Sequence, residues 1–254
     1  MATIDLNSDL GESFGCYKIG NDSQVIQYVS SVNIACGFHA GDPLVMEETV
    51  KVALENNVAV GAHPGFPDLL GFGRRNMIIS PQEAKAYIIY QVSALNGFVK
   101  ALGGQMQHVK PHGALYNMAA KDYALARAIA EGVYAVDKEL ILMGLSGHAL
   151  IKAGEDVGLQ TASEIFADRA YTPEGTLACR SIKGSVIHDK DEAAARVVEM
   201  VTTGQVTATD GTKVKIKADS VCVHGDNQEA LELVKNIRQV LKEAGIEVRP
   251  LKQR

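Results

Sequence analysis

At 254 residues, with 25 Lys+Arg against 30 Asp+Glu, the chain has a formal charge of -5 with neutral histidines and is 46% hydrophobic. That balance fits a protein with a sizeable core and lacks the basic excess that phosphate neutralisation needs, so nucleic acid is no expected partner. No run approaches the ~18 apolar residues of a spanning helix, and the start from Met1 to Asp9 is polar and acidic, so neither a membrane nor a targeting segment is expected.

In chain order, short runs rich in Val, Ile and Ala mark seven candidate strands: Ile4 to Leu6, Val32 to Cys36, Val58 to Ala62, His108 to Val109, Leu140 to Met143, Leu159 to Ala162 and Val221 to Val223. Helical periodicity fills most of the intervals, as in Met46, Val50, Ala53 and Leu54, or Leu125, Ile129, Val133 and Val136. Strand and helix in alternation imply parallel strands. Ser80, Pro81 and Glu83 form a capping box with a first-turn proline ahead of a long helix, and Asp42 before Pro43 reads as another N-cap. Residues 205–217, around Thr209-Asp210-Gly211-Thr212, alternate as a β-hairpin inserted into the pattern. The last helix ends at Gly245, with a short tail beyond it. With no linker, low-complexity tract or fixed-length repeat, residues 1–254 read as one barrel-sized domain. The cysteines Cys16, Cys36, Cys179 and Cys222 lack CxxC spacing and read as reduced thiols of a cytoplasmic protein.

Chemistry collects behind these strands. Asn7, Asp9 and Glu12 follow the first, His39 and Asp42 the second, His63 the third, Lys110 and His112 the fourth, Glu164 the sixth, and His224 with Asp226 the seventh. In a parallel α/β sheet or barrel all C-terminal strand ends share one face, so these distant positions converge. Asp9 and Glu12 suit a general base or hard metal ligands. His39 and His63 stand among glycines that admit close backbone approach; each is otherwise a buried, hydrogen-bonded imidazole. Lys110 leaves an apolar strand, fit to hold an anion or to act with a depressed pKa. His108 and His112 are four apart, but Pro111 and the preceding strand exclude the helical pairing of an HExxH zinc site. Gly71-Phe72-Gly73-Arg74-Arg75 offers two guanidinium groups for carboxylate or phosphate, or else a solvated basic turn. Asp168, Arg169, Tyr171 and Arg180 make a polar loop suited to a lid. No GxxxxGK[ST] loop, completed GxGxxG or GxSxG elbow is present.

The runs Asp5 to Gly15, Asn33 to Pro43 and Gly61 to Gly65 resemble the LamB/YcsF family, and the likeness continues through Gly71 to Arg75, Val109 to Tyr116, Glu164 to Tyr171 and Val223 to Asn227. Two departures, Ser8 for Cys and Phe66 for Tyr, touch no candidate catalytic residue. The resemblance implies an α/β fold, a distorted seven-stranded (β/α) barrel of the glycoside hydrolase/deacetylase type. It also implies ATP-dependent opening of 5-oxoproline (pyroglutamate) to L-glutamate, with hydrolysis of ATP to ADP and phosphate, alongside partner subunits B and C. Catalytic expectations fall on Asp9, Glu12, His39, His63, Lys110 and His112. Substrate or phosphate binding is expected of Asn7, Arg74, Arg75, Glu164, Arg169, His224 and Asp226. Two alternatives stand beside this reading. One is a metal-dependent deacetylase-like hydrolase of amides or carbohydrates, with Asp9, His39 and His63 as ligands of a divalent ion; the other is a non-catalytic assembly protein that binds substrate.

Overall fold

The computed structural model describes residues 2–179, 181–223 and 228–251; Arg180, His224, Asp226 and Asn227, singled out above, lie outside the described residues. Six strands come first, β1 (Ala2–Leu10), β2 (Ser31–Ala35), β3 (Ala59–His63), β4 (Met106–Val109), β5 (Ile141–Leu145) and β6 (Gln160–Phe166). They are followed by β7 (Gln205–Thr207), β8 (Lys213–Lys215), β9 (Ser220–Cys222) and β10 (Ile246–Val248). The helices are α1 (Asp22–Val25), α2 (Pro43–Glu55), α3 (Pro81–Ala101), α4 (Gly113–Ala119), α5 (Tyr123–Val136), α6 (Ala149–Asp156), α7 (Lys190–Thr203) and α8 (Gln228–Glu243).

Seven parallel strands close on themselves in the order β1-β2-β3-β4-β5-β6-β9, with β9 returning to β1. The closing strand is β1, whose nine residues serve three neighbours: Ala2 to Ile4 pair with β10, Asp5 to Asn7 with β9, and Asn7 to Leu10 with β2. All seven barrel strands coincide with apolar runs in the sequence, because a strand covered by helices on one side reads as a short Val/Ile/Leu stretch. β7 and β8 form a separate antiparallel pair. The tail after Gly245 is more than a tail. It adds β10 to the edge of β1, and Leu251 joins Ile141, Met143 and Ala162 in a small apolar cluster.

Local signals act as their chemistry dictates. The Asp42 side chain accepts from the N–H groups of Leu44 and Val45, and the Ser80/Glu83 capping box is complete, so α2 and α3 start where the sequence places them. The helices pack over Leu6, Leu10, Val32, Ile34 and Val60, all at most 1% exposed. The opposite face of the strands is polar. Asp5 takes hydrogen bonds from Ser30 Oγ (2.7 Å), Ser31 Oγ (2.9 Å) and Ser220 Oγ, and His108 Nε2 donates to Asn33 Oδ1 (2.7 Å). His108 reaches Asn33 across Gly61, where a Cβ would stand 2.1 Å from its Nε2, beside a register shift between Val60 and Gly61. Only glycine leaves that space. No helix among the described residues is long and apolar enough to cross a membrane, and all four cysteines are free.

Candidate active site at the barrel mouth

The strand ends open into a cavity of about 640 Å³ whose floor carries Asp9, Glu12, His63, Lys110 and His112. Lys110, one residue past β4, is the hub. Its Nζ donates to Asp9 Oδ1 (2.9 Å) and Glu164 Oε1 (2.9 Å), lies 3.3 Å from Asn7 Oδ1, and is 2% exposed. Burial alone pulls the ammonium down, but Asp9 and Glu164 outweigh it and hold Lys110 well above the ordinary lysine range. The depressed lysine entertained from sequence is thereby corrected: two carboxylates at contact distance keep it charged, and the anions it holds are the protein's own.

Glu164 is saturated beneath the cavity. Asn7 Nδ2 (3.0 Å), Lys110 and Tyr116 Oη (2.8 Å) all donate to its carboxylate, and it is fully buried. Asn7 is likewise engaged, donating to Ser220 Oγ (2.8 Å) and accepting from Asn33 Nδ2 (2.7 Å). These two support the floor. Tyr116, Asn33 and Ser220 are not among the candidate site residues of the sequence; Asn33 and Tyr116 fall only within the family-like runs, and Ser220 offers no signal beyond its polarity beside an apolar run.

Three imidazoles gather above Lys110. His39 and His112 are stacked with centroids 3.7 Å apart at 6°, and His63 meets both edge-on. Backbone glycines make the room, since a Cβ on Gly65 would lie 2.5 Å from His39 Nδ1 and one on Gly73 2.8 Å from His112 Cδ2. The tautomers follow from the carbonyls they meet. His63 Nδ1 lies 2.7 Å from Lys110 O and must donate to it, and His112 Nε2 donates likewise to Phe72 O at 2.8 Å. The remaining nitrogens, His63 Nε2 and His112 Nδ1, then face each other at 3.0 Å. Glu12 Oε1 stands 3.8 Å from His112 Nδ1 and 3.7 Å from His39 Nε2. Neither ring nitrogen of buried His39 has a hydrogen-bond partner. Burial, reinforced by the neighbouring imidazoles, pushes His39 and His112 well below the usual histidine range, so an added proton is a poor remedy.

A cation is the better one. One donor atom each from Glu12, His39, His63 and His112 lies within 4.8 Å of the others, an N₃O set suited to zinc or a similar divalent ion. This differs from the Asp9, His39, His63 trio. Asp9 sits 3.3 Å from His63 Nε2, but its Oδ1 is taken by Lys110 and by Asn33 Nδ2 (2.8 Å), whereas His112, at the N-cap of α4, turns inward. His108 stays below, inside the barrel. Of the expected anion binders, Arg74 and Arg169 line the cavity; Arg169 also donates through Nη2 to Ala178 O (2.5 Å), bracing the loop after β6. Arg75 turns away and pairs with Asp68.

A closed parallel (β/α) barrel with carboxylates, imidazoles and one buried lysine at its C-terminal mouth defines the class. The LamB/YcsF family profile matches residues 4–254, and the chain belongs to that family. It is 59% identical over 248 residues, 98% of this chain and 97% of the relative, to the A subunit of the 5-oxoprolinase of Alkaliphilus metalliredigens. Among solved structures it is similar to the lactam utilization protein of Thermus thermophilus, with TM-score 0.92, 48% identity, and coverage of 97% of this chain and 99% of that one. A T48 deacetylase, at 12% identity and TM-score 0.51 over 99% of this chain and 89% of that one, shares the fold alone.

Proposed function

We propose that this chain is the barrel subunit of an ATP-dependent 5-oxoprolinase and carries the hydrolytic half of the reaction: 5-oxoproline, ATP and two waters give L-glutamate, ADP and phosphate. The observation that carries the reading is the floor of the mouth, where Asp9, Lys110 and the three imidazoles form one connected buried group in a chain highly similar to a protein named as the A subunit of 5-oxoprolinase. On this reading residues 1–254 act as one barrel domain, with 205–217 as an insertion.

A five-membered lactam is a stable amide, so its opening needs activation first. The sequence has neither a GxxxxGK[ST] loop nor a completed GxGxxG, and the reading assigns ATP-dependent activation to partner subunits B and C and attack on the activated carbonyl to this barrel. Lys110 pairs with Asp9 Oδ1, and Asp9 Oδ2 faces the cavity beside His63, placed to take a proton from an attacking water. His63 cannot rotate, because Lys110 O holds its other nitrogen. Arg74 at the wall suits the carboxylate of the substrate. A divalent ion held by Glu12, His39, His63 and His112 would polarise a carbonyl or lower the pKa of a water.

Purified subunits B and C, assayed for ATP-dependent glutamate release with and without this chain, test the assignment. Glutamate is expected only in its presence. Asp9→Asn and His63→Ala are expected to lower turnover at least 100-fold while the complex still assembles. Full activity in both variants would leave a scaffolding role. The N₃O set favours one second reading, a metal-dependent hydrolase acting without ATP, which would be supported by a stoichiometric metal together with ATP-independent amide cleavage.

A further inference from the structure

The loop between β3 and α3 contains a buried acid that the reaction does not use. Asp68 has a side chain only 4% exposed, yet it sits in a surface loop and its partner Arg75 is 67% exposed. Its carboxylate accepts from Gly71 N (3.0 Å) and, through both oxygens, from the Arg75 guanidinium (Nε at 3.1 and 3.0 Å). Its backbone carbonyl accepts from Gly73 N (2.9 Å). The residue enclosed by these bonds is Phe72, with φ +53, a left-handed conformation that a bulky side chain adopts only when its surroundings impose it. Gly71 is packed too tightly for any side chain, since a Cβ would lie 2.2 Å from Asp68 Oδ2 and 2.3 Å from Arg75 Nε. On the far side Gly73 O accepts from Ala114 N (2.9 Å), which ties the loop to the start of α4.

The loop so folded brings two parts of Phe72 to the cluster, its carbonyl oxygen 2.8 Å from His112 Nε2 and its ring edge-on to His39 and His112. We propose that Asp68 is a positioning residue: clamped on Arg75, it holds Phe72 in its left-handed conformation so that the Phe72 carbonyl fixes His112 as the Nε2–H tautomer and turns Nδ1 toward His63 and Glu12. Losing the hydrogen bond that sets the tautomer of a ligand imidazole typically costs a site about 10- to 100-fold in metal affinity. Here that bond comes from a backbone carbonyl whose orientation depends on an ion pair within the same loop. The consequence for a bound cation rests on the reading of the imidazole cluster given above; the tautomer does not.

Long-range ¹H–¹⁵N spectra of metal-free protein labelled with ¹⁵N-histidine, with His112 assigned by the loss of its signals in His112→Gln, test the clamp directly. Wild type is expected to show His112 as a single Nε2–H tautomer. Asp68→Asn, and Arg75→Ala as the variant at the exposed end of the pair, are expected to give a mixed tautomer at His112 while His108 keeps its signature. Binding of Co²⁺ alone, followed by its visible absorption, should weaken 10- to 100-fold in the same variants. Arg75→Lys, which keeps the charge, should recover part of both losses. If both variants lower only the melting temperature and leave the His112 tautomer unchanged, the clamp is a loop staple and the proposal fails. If wild type binds no Co²⁺, the cation reading fails on its own, and the tautomer still decides the clamp.

Discussion

At the scale of single residues, Lys110 carries the greatest electrostatic weight. It faces two carboxylates at 2.9 Å in a buried floor, so Lys110→Met leaves both charges without their counter-ion. A loss of about 3–5 kcal/mol is expected, read by denaturant unfolding, and a cost below 1 kcal/mol would mean that the carboxylates take up protons at little expense. Ser8 makes the opposite case. It is fully buried on β1 and its hydroxyl has no hydrogen-bond partner, so Ser8→Cys, which exchanges a strongly hydrated hydroxyl for a weakly polar thiol, is expected to raise the melting temperature by about 2–4 °C. Which residues were legible in the sequence follows from where they point. Asp9, Glu12, His39, His63, Lys110 and His112 stand at strand ends, where polarity interrupts an apolar run and calls for an explanation. Asp5, Asn33, His108 and Ser220 sit within strands and face the barrel interior. In a one-in-two alternation, a polar face turned inward reads the same as one turned toward water. Asp68 has no signal of its own in the sequence, and only the folded loop reveals its pairing with Arg75.

Among elements, α2 ties helix capping to the first strand's loop. The Asp42 carboxylate accepts from Gly15 N (2.8 Å) as well as from Leu44 and Val45 N, and these N–H groups, Gly15 first, hold its carboxyl below the usual aspartate value of 3.8. The sign follows from linkage. A carboxyl with a lower pKa in the folded than in the unfolded chain contributes stability that is fully present above about pH 4 and lost as pH falls through the depressed folded value. Asp42→Ala is therefore expected to cost about 1 kcal/mol at pH 7, and the gap to wild type should narrow in thermal melts taken toward pH 3; a gap independent of pH would assign the effect to helix propensity instead. The barrel strands and the helix N-caps were readable because each has its own local code. β10 had none, being three residues after a helix-ending glycine, and its partner is 244 positions away in the pairing of Ala2 with Ile246.

For the whole molecule, closure is what brings the chemistry together. Glu164 from β6, Lys110 after β4 and Asp9 from β1 meet only because the seven strands form a ring. Three residues past β10, Leu251 returns to the strands of that ring. Leu251 packs with Ile141, Met143 and Ala162, and Leu251→Ala is expected to cost at least about 2 kcal/mol in calorimetry, through the cavity it leaves. An unchanged transition would show that the tail rests on the barrel without supporting it.

The seam between β1 and β9 also sets a timetable. Asp5 and Ser220 are neighbours in space but 215 residues apart in sequence. At ribosomal speeds of 5–20 residues per second, β1 emerges roughly 10–40 s before the strand that completes it. During synthesis its outer edge is an open template that carries Asp5, Asn7 and Asp9 without their final neighbours. Until Ser220 has emerged, the floor built around Asp9, Lys110 and Glu164 lacks its closing strand and the edge of β1 stays open.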